Sequence, residues 1–337
     1  MNNRCIYNWQ VFLGVALFLL FSASCKRDDP FDLFSPDFEV DVLLPVEGFG
    51  DRGFVDIVYK GVEEANLTFN FKVNYIVPSS LDKGAEWIKN IPNLKPSIGN
   101  SAMLIVAGNQ YTDEINSLNG HFGGHKLLLL AGLATQYEGL SSIVYRSYAS
   151  SYIGGYLSSK LVPKCKAVVI AAFDAAFLTE YQAGFKQGVI DAGGTVNPTV
   201  YIANSFEGFA MPEAGYAISN SLLPDNNLVF ALATGSNVGI INAVRNYKEK
   251  RYVVGVDADQ SWMGLTVVTG SVVALFGKDI YETIDQFSTG TFTSGSFTKT
   301  MADGRTEFLM NKQVMGSSEV PQSLVDIAVQ KEKDYSK

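Results

Sequence analysis

Cysteine and histidine are scarce: the 337 residues contain three Cys and two His. Cys5 and Cys25 fall near the start, so only Cys165 is left for the body of the fold and an internal disulfide is excluded there. Cys165 sits in the apolar stretch 164–172 and reads as a buried small hydrophobe. Stability must then come from burial rather than from covalent staples. With two imidazoles, general acid–base chemistry would fall to carboxylates. His121 and His125 are four residues apart, but Gly123 and Gly124 between them disfavour a rigid helix and no acid adjoins them. Neither a metal nor a cofactor is expected. Positive charge is also short, with 26 Lys and Arg against 34 Asp and Glu. No basic stripe can neutralise phosphates, which excludes nucleic acid as a partner. Low-complexity segments and solenoid-period repeats are absent.

What the chain does have begins at its N-terminus. Arg4 precedes an uncharged apolar run over 11–21, followed by Ser22, Ala23, Ser24 and Cys25. That is the layout of a secretory signal, and the run is too short to span a bilayer as a mature helix. A Cys just past the small residues resembles the lipobox of bacterial lipoproteins, with the Cys25 thiol lipidated and Cys25 as the new N-terminus. The next four residues, Lys26, Arg27, Asp28 and Asp29, resemble a charged export signal for the outer cell face. Residues 1–24 are thus expected to be a lipoprotein signal peptide and 25–36 a tether. The expected location is the cell envelope, anchored by lipid to the outer membrane on its periplasmic or surface-facing leaflet.

Beyond the tether, short β-rich runs alternate with amphipathic segments. Strands are expected at 38–44, 70–77, 102–107, 126–131, 142–145, 166–172, 199–203, 227–233 and 251–256. Helical spacing covers 53–66, 149–161, 179–192, 213–222 and 237–248. Continuous apolar strands alternating with helices imply parallel sheets covered on both faces. The mature chain is longer than one core usually grows to, so two α/β lobes are expected. Later, 265–269 and a helix over 272–287 follow, and 297–300 with 306–310 reads as a hairpin around Ala302, Asp303 and Gly304.

The loop 48–53 reads G-x-G-x-x-G between a strand and a helix. Three features oppose a dinucleotide fingerprint. Pro45, Val46 and Glu47 separate the strand from the first Gly, Asp51 stands where a pyrophosphate would sit, and the next strand ends in Val77, Pro78 and Ser79 without an acid. The loop is read instead as the mouth of a ligand crevice. Asp51 either accepts hydrogen bonds from a ligand or N-caps the helix, and Phe54 either stacks on a ligand or joins the core.

Several strings then carry a family resemblance. Residues 48–65 (GFGDRGFVDIVYKGVEEA) resemble the first strand-to-helix turn of the basic membrane protein family, nucleoside-binding lipoproteins of bacterial ABC importers. Residues 255–260 (GVDADQ) are similar to that family's GVDSDQ, and 148–161, 182–188, 201–206 and 231–239 resemble further family segments in order. The resemblance implies a type I periplasmic-binding-protein fold, α/β, with two Rossmann-like lobes, three hinge crossings and a ligand cleft. It places 37–145 and 266–292 in one lobe, and 146–265 and 293–337 in the other. It also implies ligand-binding roles for Asp51, Phe54, Asn109, Phe206, Gly235, Ser236 and Asp257. The rings would stack on a base and Asp257 would fix a ribose diol, unless Asp257 only caps a helix or bonds at the hinge. Asn109 and Gln110 would read a base edge, and Thr234, Gly235 and Ser236 would let backbone approach. This chain departs from the family at Ala131 or Gly132, where an Asp is usual, and at Ala274, where a Lys is usual. Arg146, Ser147, Tyr148 and Ala149 replace an acidic run, and Val55 and Asp56 replace Asn and Gln.

The expected function is capture of a small polar, nucleoside-like ligand for an ABC permease, without catalysis and as a monomer. The alternative is a surface lipoprotein that binds or senses another ligand, such as a saccharide, without a transporter. Asp174, at the end of the strand 166–172, is expected to line the cleft or cap a helix.

Overall fold

The computed structural model describes residues 35–336. The signal peptide, Cys25 and the tether up to Phe34 lie outside the described residues. In chain order the strands are β1 (Glu39–Leu43), β2 (Lys72–Ile76), β3 (Met103–Ala107), β4 (Lys126–Leu130), β5 (Leu140–Tyr145), β6 (Lys166–Ala171) and β7 (Thr195–Val196). They continue with β8 (Val200–Tyr201), β9 (Leu228–Leu232), β10 (Tyr252–Asp257), β11 (Val268–Ala274), β12 (Gly295–Lys299) and β13 (Thr306–Met310). The helices are α1 (Phe54–Phe69), α2 (Leu81–Lys89), α3 (Thr112–Ser117), α4 (Tyr148–Leu161) and α5 (Thr179–Asp191). After them come α6 (Pro212–Leu222), α7 (Asn237–Asn246), α8 (Phe276–Ser288), α9 (Lys312–Met315) and α10 (Gln322–Tyr335).

The strands form two sheets. One runs β12-β5-β4-β3-β1-β2 and is parallel throughout. The other runs β13-β11-β10-β9-β6-β7, with β8 also on β6, and only β13 is antiparallel. Side chains of a strand alternate between faces. Leu228, Phe230 and Leu232 of β9 accordingly join one core while Val229 and Ala231 join the other. In the first sheet Val40 and Val42 of β1 pack on one side and Leu43 on the opposite side. Each sheet is therefore buried on both faces, which is why its central strands read as unbroken apolar runs.

Helices α4 and α5 pack backbone against backbone. A methyl group at Gly155 would lie 2.2 Å from the Phe185 carbonyl oxygen, and one at Gly188 would lie 2.1 Å from that of Tyr152. Glycine is used there for close approach, since any Cβ would force the helices apart.

The chain passes between the sheets three times, after β5, after β11 and between β12 and β13. Here the sequence-based boundaries need correction. β11 hydrogen-bonds to β10 and β13, so 268–274 belongs to the second sheet and not to the first lobe. Residues 272–274 extend that strand, and the helix begins only at Phe276. β12 pairs with β5, so 295–299 belongs to the first sheet. The expected hairpin is likewise absent. A turn does form, with Arg305 N–H donating to Thr300 O and Gly304 N–H to Met301 O, but the strands on either side enter different sheets. A local turn signal carries no information about which sheet each arm joins.

Candidate functional site

In open parallel sheets the crevice beyond the carboxyl ends of the strands is where ligands bind. Here the strand ends of both lobes open onto one cavity of about 130 Å³. The first lobe contributes Glu47, Asp51, Phe54, Asn109, Gln110 and Ala131, and the second contributes Phe177, Tyr181, Phe206, Phe209, Thr234 and Asp257. Phe276, at the second hinge crossing, completes the wall. Four lining residues at strand ends have positive φ: Gly108 at 90°, Ala131 at 58°, Thr234 at 41° and Asp257 at 68°. Non-glycine residues rarely adopt this conformation, and such positions gather at functional clefts.

Asp51 is already committed. Its Oδ1 accepts from Gly53 N–H at 2.9 Å and Asp56 N–H at 3.1 Å, and its Oδ2 accepts from Val55 N–H at 2.9 Å. The carboxylate holds the first turn of α1, so the capping role is occupied while the charge still faces the cavity. Burial raises its pKa. Asp257 is less engaged: Thr234 Oγ1 donates to its Oδ2 at 2.7 Å. Burial, and then the nearby Asp51 charge, push the Asp257 carboxyl up to about 7, against the lowering effect of Thr234. Burial also raises Glu47.

The rings form two groups. Phe54 meets Phe276 edge-on at 4.9 Å, and Phe276 meets Tyr145 at 4.7 Å. Across the cavity Phe177 stacks on Phe206 with centroids 6.1 Å apart, and Phe173 and Phe209 back them. Aromatic faces thus come from both lobes.

Of the seven residues singled out in the sequence, the structure brings Asp51, Phe54, Asn109, Phe206 and Asp257 to this cavity. Two lie elsewhere. Ser236 is fully buried, donating to Gly208 O at 2.8 Å and accepting from Met211 N–H at 2.7 Å. Gly235 does not line the cavity; a methyl there would sit 2.8 Å from the Phe209 carbonyl oxygen and 3.6 Å from Asp51 Cα. It serves a close approach of this turn to the Phe206–Ala210 turn within the second lobe, with Asp51 of the other lobe at ordinary contact distance. Asp174 is also outside, accepting from the Tyr201 hydroxyl at 3.2 Å on the surface. Sequence reasoning missed Glu47, Phe177, Tyr181, Phe209 and Phe276. The pair Phe173 and Phe177 just beyond β6 was the available signal for the second ring group.

The string 255–260 owes much of its pattern to Gln260. Its Oε1 accepts from Asn237 Nδ2 at 2.9 Å, its backbone N–H donates to Ser271 Oγ at 3.0 Å, and its Nε2 reaches Arg52 O at 3.5 Å in the other lobe. Beside it the Arg52 guanidinium lies over Trp262, 5.4 Å from the ring centroid. Loop 48–53 is therefore docked on the second lobe.

Residues 38–331 match the family described as ABC transporter substrate-binding protein, PnrA-like. Basic membrane protein D of Borreliella burgdorferi (strain JD1) is 24% identical over 297 residues, covering 86% of this chain and 82% of that protein. An uncharacterised lipoprotein of Pyrococcus abyssi is 22% identical, over 77% of this chain and 66% of its own length. Among solved structures, a solute-binding protein of an ABC transporter system from Aeropyrum pernix K1 superposes with a TM-score of 0.73 at 17% identity, covering 88% and 86% of the two chains. A sugar-binding protein from Bacillus halodurans reaches 0.61. The fold is the type I periplasmic-binding-protein fold. Taken with the match over nearly all described residues, this chain belongs to the PnrA-like, basic membrane protein family of ABC transporter substrate-binding proteins, which bind solutes rather than transform them.

Proposed function

We propose that this solute-binding protein is a lipid-anchored receptor of the cell envelope that captures a nucleoside-like ligand and hands it to an ABC permease. Anchoring is through Cys25, which lies outside the described residues, and the protein acts as a monomer. The signal-like N-terminus and the lipoprotein among its relatives support the envelope location. Among the described residues no helix is long and apolar enough to cross a membrane. The observation that carries the ligand reading is the cavity itself, in which flat ring faces from both lobes flank a strand-end carboxylate. Rings take up a planar base, and Asp257 accepts from sugar hydroxyls. Contacts with both lobes make closure dependent on the ligand, because a guest that touches both favours the closed state over the open one.

A thermal-shift screen of nucleosides, bases and sugars tests this. A ligand at a hundred times its Kd adds about 2.7 kcal/mol of stability. Asp257→Ala is expected to abolish that shift and Phe54→Ala to weaken it. A nucleoside that stabilises both variants as well as the wild type would contradict the site assignment, and a sugar in its place would favour the saccharide alternative.

A further inference from the structure

The cavity walls carry three carboxylates, Glu47, Asp51 and Asp257, and no Lys, Arg or His. The neighbouring cation, Arg52, is turned onto Trp262. Six rings complete the lining: Phe54, Phe177, Tyr181, Phe206, Phe209 and Phe276. Asp51 is compensated by three backbone N–H donors and Asp257 by one hydroxyl, but none of the three has a cationic partner in the cavity, and carboxylates there are costly to ionise unless a positive charge arrives. Aromatic faces attract that same charge through their quadrupoles, most strongly when water is excluded. The two features are independent, since the acids sit in the segment 47–51 after β1 and at the end of β10 while most rings come from helices and turns. They converge on one ligand property.

We infer that the cleft selects a flat organic cation, a heteroaromatic ring bearing a fixed or protonated positive charge, over its neutral counterpart. This rests on the proposed capture of a flat ligand and adds its charge. Asp257 and Glu47 supply the counter-charge, Asp51 adds to the field while capping α1, and the rings sandwich the cationic plane.

The test is calorimetric titration of the purified chain with two matched pairs of probes: adenosine against 1-methyladenosine, and nicotinamide against 1-methylnicotinamide, at a pH where the methylated members are cationic. The charged member of at least one pair is expected to bind at least about tenfold more tightly. That preference should collapse in Glu47→Gln and in Asp257→Asn, the first serving if the second misfolds. Equal or tighter binding of the neutral members would overturn the cation preference while leaving capture of a flat ligand standing. A charge preference that survives both variants would overturn the assignment of the counter-charges. Failure of all four probes, with a non-planar sugar binding instead, would overturn both readings.

Discussion

At the scale of single residues, two acids in one cavity hold different positions. Asp51 has three backbone N–H donors and is spent on the start of α1, whereas Asp257 has one hydroxyl donor and stands half-buried beside a like charge. The Asp257 carboxyl is raised from 3.8 to about 7, so the folded protein holds that proton more tightly than the unfolded chain does. Between those pH values the native state binds more protons, and stability from this group is present at low pH and lost as pH rises through about 7. The ligand-free protein should accordingly show a Tm that falls between about pH 4 and pH 7 and levels off above that, the window set by the unfolded value of 3.8 and the folded value of about 7. Asp257→Asn should flatten the trend. Ligand affinity should run the other way, rising as Asp257 ionises, because only the carboxylate accepts from two donors or pairs with a cation. A pH-independent Tm in the wild type would show that Asp257 is ordinary. In the sequence a ligand-facing role and a hydrogen-bonded one could not be separated; the structure sets Asp257 on the cavity wall and hydrogen-bonds it to Thr234.

At the scale of elements, glycine explains why the family-like strings recur where they do. Gly155, Gly184 and Gly188 bring α4 and α5 into backbone contact, with no room for a Cβ at any of the three. Gly188→Ala is expected to lower stability by about 1–3 kcal/mol, the usual cost of overpacking, as read from denaturant midpoints. Gly53 differs, since it meets the other lobe: a methyl would lie 2.6 Å from Thr234 Cγ2. Gly53→Ala should weaken ligand binding, because the added methyl would push loop 48–53 away from its docked position on the second lobe. Equal affinity in this variant would mean that docking of the loop is not part of binding. The central strands were legible because burial on both faces writes an unbroken apolar run. Of the second ring group only Phe206 was, since Phe177 and Phe209 sit in single 3-10 turns too short to show periodicity. β12 was assigned to the wrong lobe for another reason: its pairing with β5 spans a sequence separation of 154, as in the Ser142–Ser296 hydrogen bond, and no local pattern records it.

At the scale of the whole molecule, the three crossings meet on one buried carboxylate. Asp279 of α8 accepts from the Tyr145 hydroxyl at 2.7 Å and pairs with Lys299 and Arg305, each at 3.4 Å. Tyr145 ends β5, Lys299 ends β12, and Arg305 precedes β13, so every passage between lobes is tied to this group. Removing Asp279 would leave Lys299 and the Tyr145 hydroxyl without this partner, whereas Arg305 keeps its pair with Glu282 at 2.7 Å, so the cost falls toward the low end of the about 3–5 kcal/mol typical of a broken buried pair. Asp279→Ala should therefore destabilise strongly and also change ligand affinity, although Asp279 does not line the cavity. Loss of stability with unchanged affinity would separate the hinge from binding. Fold class and the two-lobed plan were readable from alternation and length. The lobe boundaries after residue 265 were not, because the chain changes sheet inside segments whose local patterns look continuous.

The most direct measurement is a crystal structure of the complex with the tightest-binding ligand from the screen. The account predicts a planar group between the rings of Phe54 and Phe206, with a donor or cationic atom within hydrogen-bonding distance of Asp257. A ligand seated outside the interlobe cavity, or inside it with Asp257 turned away and unengaged, would contradict it.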